Sequence, residues 1–206
     1  MQITKLAKQG KYKVQIELDG EYAFFLYAKE IKRLGLEEGD ELSEQLIEEI
    51  YQLILFPRAK EKALSLLQYR NRTQLEMNRK LVQNGYPEII AEQVMQFLGE
   101  YRLIDDEKYV ISYIEMNIRK KSRLQIQHEL SLKGIDKGLF LRIWEAQEED
   151  LEEQALREQV EKRIRSKGPI NTENHPKFYA YFARKGYSSS MICRLLKEYQ
   201  TAEEIS

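Results

Sequence analysis

Few side chains of this 206-residue chain have the type and spacing to do chemistry. His128 and His175 are its two histidines, and no Cys or carboxylate cluster stands at metal-ligand spacing around either. Both read as ordinary surface or interface histidines, and neither a metal nor a cofactor is expected. Asp105-Asp106-Glu107 has the charge to hold a divalent cation. At the start of a helix, however, these carboxylates cap free amides and oppose the macrodipole, which is the reading adopted. Cys193, the single cysteine, falls among apolar positions of the last helix, where a buried thiol is expected. The glycines are isolated and several sit at helix stops, so no phosphate-cradling loop is present. No nucleophile stands with a base, and the chain is expected not to be an enzyme.

The basic residues carry more information. Lys and Arg number 33 against 34 Asp and Glu, a net of −1, so attraction to an anionic partner must be sought by segment. Residues 1 to 56 hold 7 basic and 11 acidic residues, whereas 57 to 144 hold 16 and 11. Residues 154 to 200 hold 10 and 4. Candidate partner- or DNA-binding clusters stand at Arg70 and Arg72, and at Arg119, Lys120, Lys121 and Arg123. Others are Lys133, then Arg163, Arg165 and Lys167, and finally Arg184 and Lys185. A solvated helix face is the alternative for any one cluster, because helix C-termini draw cations.

The elements that must position these residues follow from periodicity. With 42% apolar residues, 33% charged, ten Gly and four Pro, the composition is that of a helix-rich protein. Tyr12, Val14, Ile16 and Leu18 alternate with polar residues up to Asp19-Gly20, and Tyr22, Phe24 and Leu26 resume the alternation. That predicts a β-hairpin with a two-residue primed turn. Gln2 to Leu6 is the expected third strand, Ala28 to Leu34 a short helix stopped by Gly35, and Ser43 to about Phe56 another helix.

From residue 57 onward the chain repeats. Gly85, Gly134 and Gly186 align, with Leu81, Leu130 and Phe182 four residues before and Tyr86, Ile135 and Tyr187 one after. Twelve residues before each glycine stands a capping residue, Thr73, Ser122 or Asn174. Thr73 with Glu76 and Ser122 with Gln125 make capping boxes. Each glycine is expected to adopt positive φ and stop the middle helix of a three-helix unit. Amphipathic helices precede the caps over 59 to 69, 106 to 120 and 150 to 166, and third helices start near Pro87, Asp136 and Ser188.

The expected fold is mainly α. Three tandem three-helix repeats form an elongated, curved array, and a small N-terminal α+β extension contains the hairpin. The expected divisions are 1–56, 57–104, 105–149 and 150–206. No apolar run is long enough to span a bilayer, so a cytoplasmic chain is expected, as a monomer and without a membrane partner.

In the order and spacing of its motifs the chain resembles the RecX regulatory proteins, modulators of the RecA recombinase. The matching residues are Ala63-Leu64-Ser65-Leu66-Leu67, Gln68-Tyr69, Arg70-Asn71-Arg72-Thr73, Glu76, Lys80-Leu81 and Gly85. Leu103-Ile104-Asp105-Asp106-Glu107-Lys108-Tyr109, Tyr113 and Glu129-Leu130-Ser131-Leu132-Lys133-Gly134-Ile135 continue the match. Thr73 stands where serine is usual, and Pro176 where the other repeats have Leu75 and Leu124. The resemblance implies a non-enzymatic protein that binds the RecA filament on single-stranded DNA. It further implies restraint of the filament's ATPase, growth and strand exchange, in DNA repair, recombination and the SOS response. Weak binding to single-stranded DNA through the basic clusters is expected. A stand-alone helical-repeat nucleic-acid binder and a protein-interaction scaffold are the alternatives.

Overall fold

The computed structural model describes residues 1–147 and 151–201. The linker Glu148-Glu149-Asp150, with the expected division at 149/150, and the last five residues lie outside the described residues. The chain divides into two compact units, Met1–Asp105 and Asp106–Ser206.

The first unit opens with an antiparallel sheet in the order β1-β2-β3, formed by β1 (Ile3–Gln9), β2 (Lys13–Leu18) and β3 (Glu21–Tyr27). Asp19 and Gly20 have φ of 51° and 89°, the two positive angles that a type I′ turn requires. Alternation buries Val14, Ile16 and Leu18 on one face. It breaks in β3, where Phe24, Phe25 and Leu26 are all buried. A register shift beside Ile16 leaves Ala23 without a cross-strand partner. Phe25 packs on Tyr86, ring centroids 5.4 Å apart, so the segment just after Gly85 covers it.

Helix α1 (Ala28–Leu34) ends at Gly35, φ 65°. Helix α2 (Glu44–Ile50) starts at Ser43, whose Oγ accepts from the Leu46 amide. The helices expected over 43 to 56 and 59 to 69 are continuous: a π-helical stretch, Tyr51–Leu55, joins α2 to α3 (Phe56–Tyr69). Pro57 explains the wide turn. In a regular α-helix its ring would press on the Leu53 carbonyl, and a π turn moves that carbonyl away. Helices α4 (Gln74–Gln83) and α5 (Glu88–Glu100) complete the unit around one core shared with the sheet.

The second unit holds α6 (Asp106–Asn117), α7 (Arg123–Leu132), α8 (Lys137–Glu145), α9 (Leu151–Lys167), α10 (His175–Arg184) and α11 (Ser189–Thr201). Helix α9 serves two cores, lending Ala155 and Leu151 to that of α6–α8 and Leu156 and Val160 to that of α10 and α11. The protein is mainly helical, with a small N-terminal sheet.

The helix boundaries have a local chemistry. Thr73 and Glu76 exchange side-chain and backbone hydrogen bonds at the start of α4, as Ser122 and Gln125 do at α7. Gly85, Gly134 and Gly186 have φ of 90°, 85° and 84°. At each stop the glycine amide and the following amide reach back into the last turn. Gly85 N–H donates to Val82 O and Tyr86 N–H to Leu81 O, the Schellman pattern, and α7 and α10 repeat it.

Asn174 departs from the sequence expectation. Its backbone is helical and its side chain caps no amide of α10. Asn171 does the capping one turn earlier. Its Oδ1 accepts from the Glu173 and Asn174 amides, and Asn174 Oδ1 accepts from the Asn171 amide. Pro176 lacks an N–H, which suits the first turn of a helix, so the turn initiated at Asn171 leads into it. No helix among the described residues is long and apolar enough to cross a membrane.

Candidate functional site

Of the basic residues singled out from the sequence, four gather in one cleft and the others stand in separate settings. Arg70 is exposed and 3.8 Å from the Glu76 carboxylate. Arg72 is half-buried in the first unit, and its Nε and Nη1 have no hydrogen-bond partner. Lys121 donates to Glu129 Oε2 at 2.5 Å, and the Tyr113 hydroxyl donates to the same carboxylate. The hydrogen bond to Glu129 raises the Lys121 pKa, while Lys121 and Tyr113 together hold Glu129 below the usual carboxylate range. Lys121 is therefore committed to a local network. Arg123 opens α7 with its guanidinium 5.6 Å from the Trp144 ring centroid. Its amide donates to Glu152 Oε1 at 2.8 Å, and burial pushes the Glu152 pKa up against that bond. Lys133, at the end of α7, lies over the Tyr109 ring.

Arg119, Lys120, Arg163 and Lys185 converge. With Gln159, Lys162, Ser166 and Tyr181 they line a cleft of about 270 Å³ in the second unit. Arg119 and Lys120 follow the end of α6, where the Lys120 amide donates to Asn117 O at 2.9 Å. Lys185 caps the C-terminus of α10, a position that favours a cation. Its Nζ donates to Gln159 Oε1 at 2.5 Å. Arg163 lies over Tyr181, 3.8 Å from the ring centroid, and 5.3 Å from that of Phe178. No acidic residue is among those lining the cleft.

Arg165 and Lys167 are exposed at the end of α9, and Arg184 at the end of α10, outside the lining. Sequence reading grouped Arg163 with Arg165 and Lys167 as neighbours along the chain and missed Lys162. The signal was the helical interval: Gln159, Lys162, Arg163 and Ser166 stand at i, i+3, i+4 and i+7, one face of α9.

The remaining reactive types assemble no centre. Cys193 is half-buried rather than enclosed, a correction to the buried thiol expected, because it flanks the core positions Ile192 and Leu195 without sharing their inward face. His128 is exposed and His175 half-buried. Asp106 and Glu107 occupy the first turn of α6. Among the described residues no group of three or more His, Cys, Asp or Glu is placed to hold a metal ion.

Comparison with known proteins fits this architecture. Residues 59–98, which span α3 to α5 almost entirely, match the family description "RecX, first three-helix domain". The chain is similar to the regulatory protein RecX of Clostridium acetobutylicum, 31% identical over 204 residues, covering 95% of each chain. It is 26% identical to the Clostridium beijerinckii regulatory protein RecX, over 94% of this chain and 92% of the relative. A crystal structure of a regulatory protein RecX superposes with a TM-score of 0.63 at 26% identity, over 96% of this chain and 98% of the other. With the repeat motifs, the fold and the full-length similarity in agreement, the chain belongs to the RecX family of regulatory proteins.

Proposed function

We propose that this chain is a non-enzymatic regulator that binds the RecA filament on single-stranded DNA and restrains its ATPase, growth and strand exchange. Family membership along nearly the whole chain carries this reading. The cleft supports it, since a protein acting on a nucleoprotein filament meets both protein and phosphate surface. A protein of tandem repeats can touch more than one filament subunit, and each further contact gains from a raised effective concentration. One molecule at a growing end blocks all later additions.

The test is a titration of the full chain into RecA from the same source on single-stranded DNA, following ATP hydrolysis. Suppression is expected below one chain per RecA protomer, and excess free DNA is expected not to relieve it. Suppression that needs enough chain to cover the strand and disappears with excess DNA would identify a plain DNA competitor. No effect at any ratio would reject the RecA reading.

A further inference from the structure

A second cavity of the second unit, about 160 Å³, lies among α6, α7, α8, α9 and α11 and shares no lining residue with the basic cleft. Ile114, Leu151, Met191 and the Trp144 ring give it apolar walls. Arg123 and Glu152 bring opposite charges to the same space. One Glu152 oxygen accepts the Arg123 amide at 2.8 Å, and the Arg123 guanidinium lies over Trp144. Among the described residues no ion pair joins these two charges or ties either to a third side chain. Charges held so beside apolar walls are costly unless something matches them. Burial disfavours the Glu152 carboxylate, so the fold alone gains nothing from its charge. A ligand with a single charge would match one group and repel the other, a cation meeting Arg123 and an anion meeting Glu152. A zwitterion matches both at once.

We propose that this cavity binds a small apolar α-amino acid as its zwitterion. The Arg123 guanidinium takes the carboxylate, the second Glu152 oxygen takes the ammonium, and the apolar walls take the side chain. A guanidinium presents a planar fork that matches two carboxylate oxygens, and a ring that fixes it in advance reduces the entropy lost on binding. Small-molecule sites have this build, mostly apolar with a few placed polar groups. A dry cavity of about 150 Å³ holds one benzene. The volume here, about 160 Å³, therefore suits a single amino acid of valine or leucine size and not a peptide. Helix α9 serves the cores on both of its sides, so a ligand bridging it to α6, α8 and α11 stabilises the joint between them. The inference goes beyond the proposed regulatory role and is measured without RecA.

The probes are L-valine, L-leucine and L-methionine, titrated into the full chain near neutral pH. Binding is followed by the emission of Trp144, the sole tryptophan, and by the unfolding temperature. Saturable binding of at least one is expected, with a Kd of roughly 0.1–1 mM. The tightest binder is then compared with the same skeleton lacking its carboxylate or its ammonium, for valine isobutylamine and isovalerate. Each is expected to bind about tenfold more weakly. Glu152→Gln keeps an oxygen for the Arg123 amide; it is expected to weaken the amino acid about tenfold and erase its advantage over the acid. Arg123→Gln is expected to erase the advantage over the amine. A merely structural role would not redirect these two preferences separately. Circular dichroism confirms that each variant is folded. No saturable response to any of the three amino acids up to about 20 mM overturns the proposal. An amine or acid that binds the parent as tightly as the amino acid overturns the zwitterion in favour of a singly charged ligand. Unchanged affinity in both folded variants places the ligand elsewhere and overturns the site.

Discussion

Gly186 and Gly168 form a matched pair for measuring what a helix stop does beyond its backbone angle. Both have φ of 84° and both lie in the second unit. A Cβ at Gly168 would meet nothing within 4 Å, whereas one at Gly186 would come 3.0 Å from Ser122 Oγ and 3.3 Å from Leu124 Cβ and Cδ2. Gly168→Ala therefore carries only the left-handed penalty, about 1–2 kcal/mol. Gly186→Ala adds overpacking of about 1–3 kcal/mol. Ser122 cannot yield freely, because its Oγ donates to Lys185 O at 2.6 Å and accepts the Gln125 amide at the start of α7. The expected total is about 3 kcal/mol for Gly186→Ala against about 1.5 for Gly168→Ala. Urea unfolding followed by Trp144, the sole tryptophan, reports on this unit. Combining Ser122→Ala with Gly186→Ala should cost less than the two changes summed, by about 1 kcal/mol. Equal losses for the two glycine variants, within about 0.5 kcal/mol, would refute the contact between Ser122 and the stop.

Two further changes probe other joints. Tyr22→Phe removes the hydroxyl that donates to Gly85 O at 2.5 Å and should cost the first unit about 1 kcal/mol in urea unfolding, with no loss if water replaces the bond equally well. Burial raises the Glu152 pKa, so its stabilising share is full below the ordinary carboxylate range and is lost as pH rises through the raised value. Glu152→Gln keeps an oxygen for the Arg123 amide and does not titrate. It should match the parent near pH 4 and exceed it at pH 7 by less than about 1 kcal/mol; a less stable variant at pH 7 would show that the carboxylate charge is favoured where it sits.

What was legible in the sequence was local. The hairpin declared itself by period-two alternation around Asp19-Gly20, and the helix stops by a glycine followed by an apolar residue. Both devices use neighbours within six positions. The continuous helix through Pro57 was not legible, because proline normally marks a helix start and only the π turn makes it compatible with an interior position. The third cap was misplaced by one turn because Asn171 and Asn174 are both good capping types, and their mutual hydrogen bonds decide between them. Half of the cleft was visible as charge clusters. The rest was hidden because consecutive residues on a helix point to different sides. Lys121 was removed from the candidate surface by Glu129 eight residues away, and Arg123 was placed by Trp144 and Glu152, which no linear motif connects to it.

The N-terminal sheet and the second helix triplet solve one problem in the same way. A helix ends with carbonyls that have no intrahelical donor, and a stop in the left-handed conformation satisfies only some of them. In α4 the residue before the glycine, Asn84, offers its carbonyl to Lys13 Nζ at 3.1 Å, and the glycine carbonyl itself accepts from Tyr22. In α10 the corresponding carbonyl, that of Lys185, accepts from Ser122 Oγ. Lys13 comes from a strand and Ser122 from a helix cap, yet both reach the carbonyl of the residue before the glycine, while Tyr22 reaches the carbonyl of the glycine itself. The β extension thus occupies, for the first helix triplet, the place that the cap of α7 occupies for the third. Its Lys13 is drawn into contact with the Phe25 ring, 3.8 Å from its centroid, and burial lowers its pKa. A lysine so placed is engaged by a ring and a helix-terminal carbonyl, which is consistent with a sheet that supports the helices beside it.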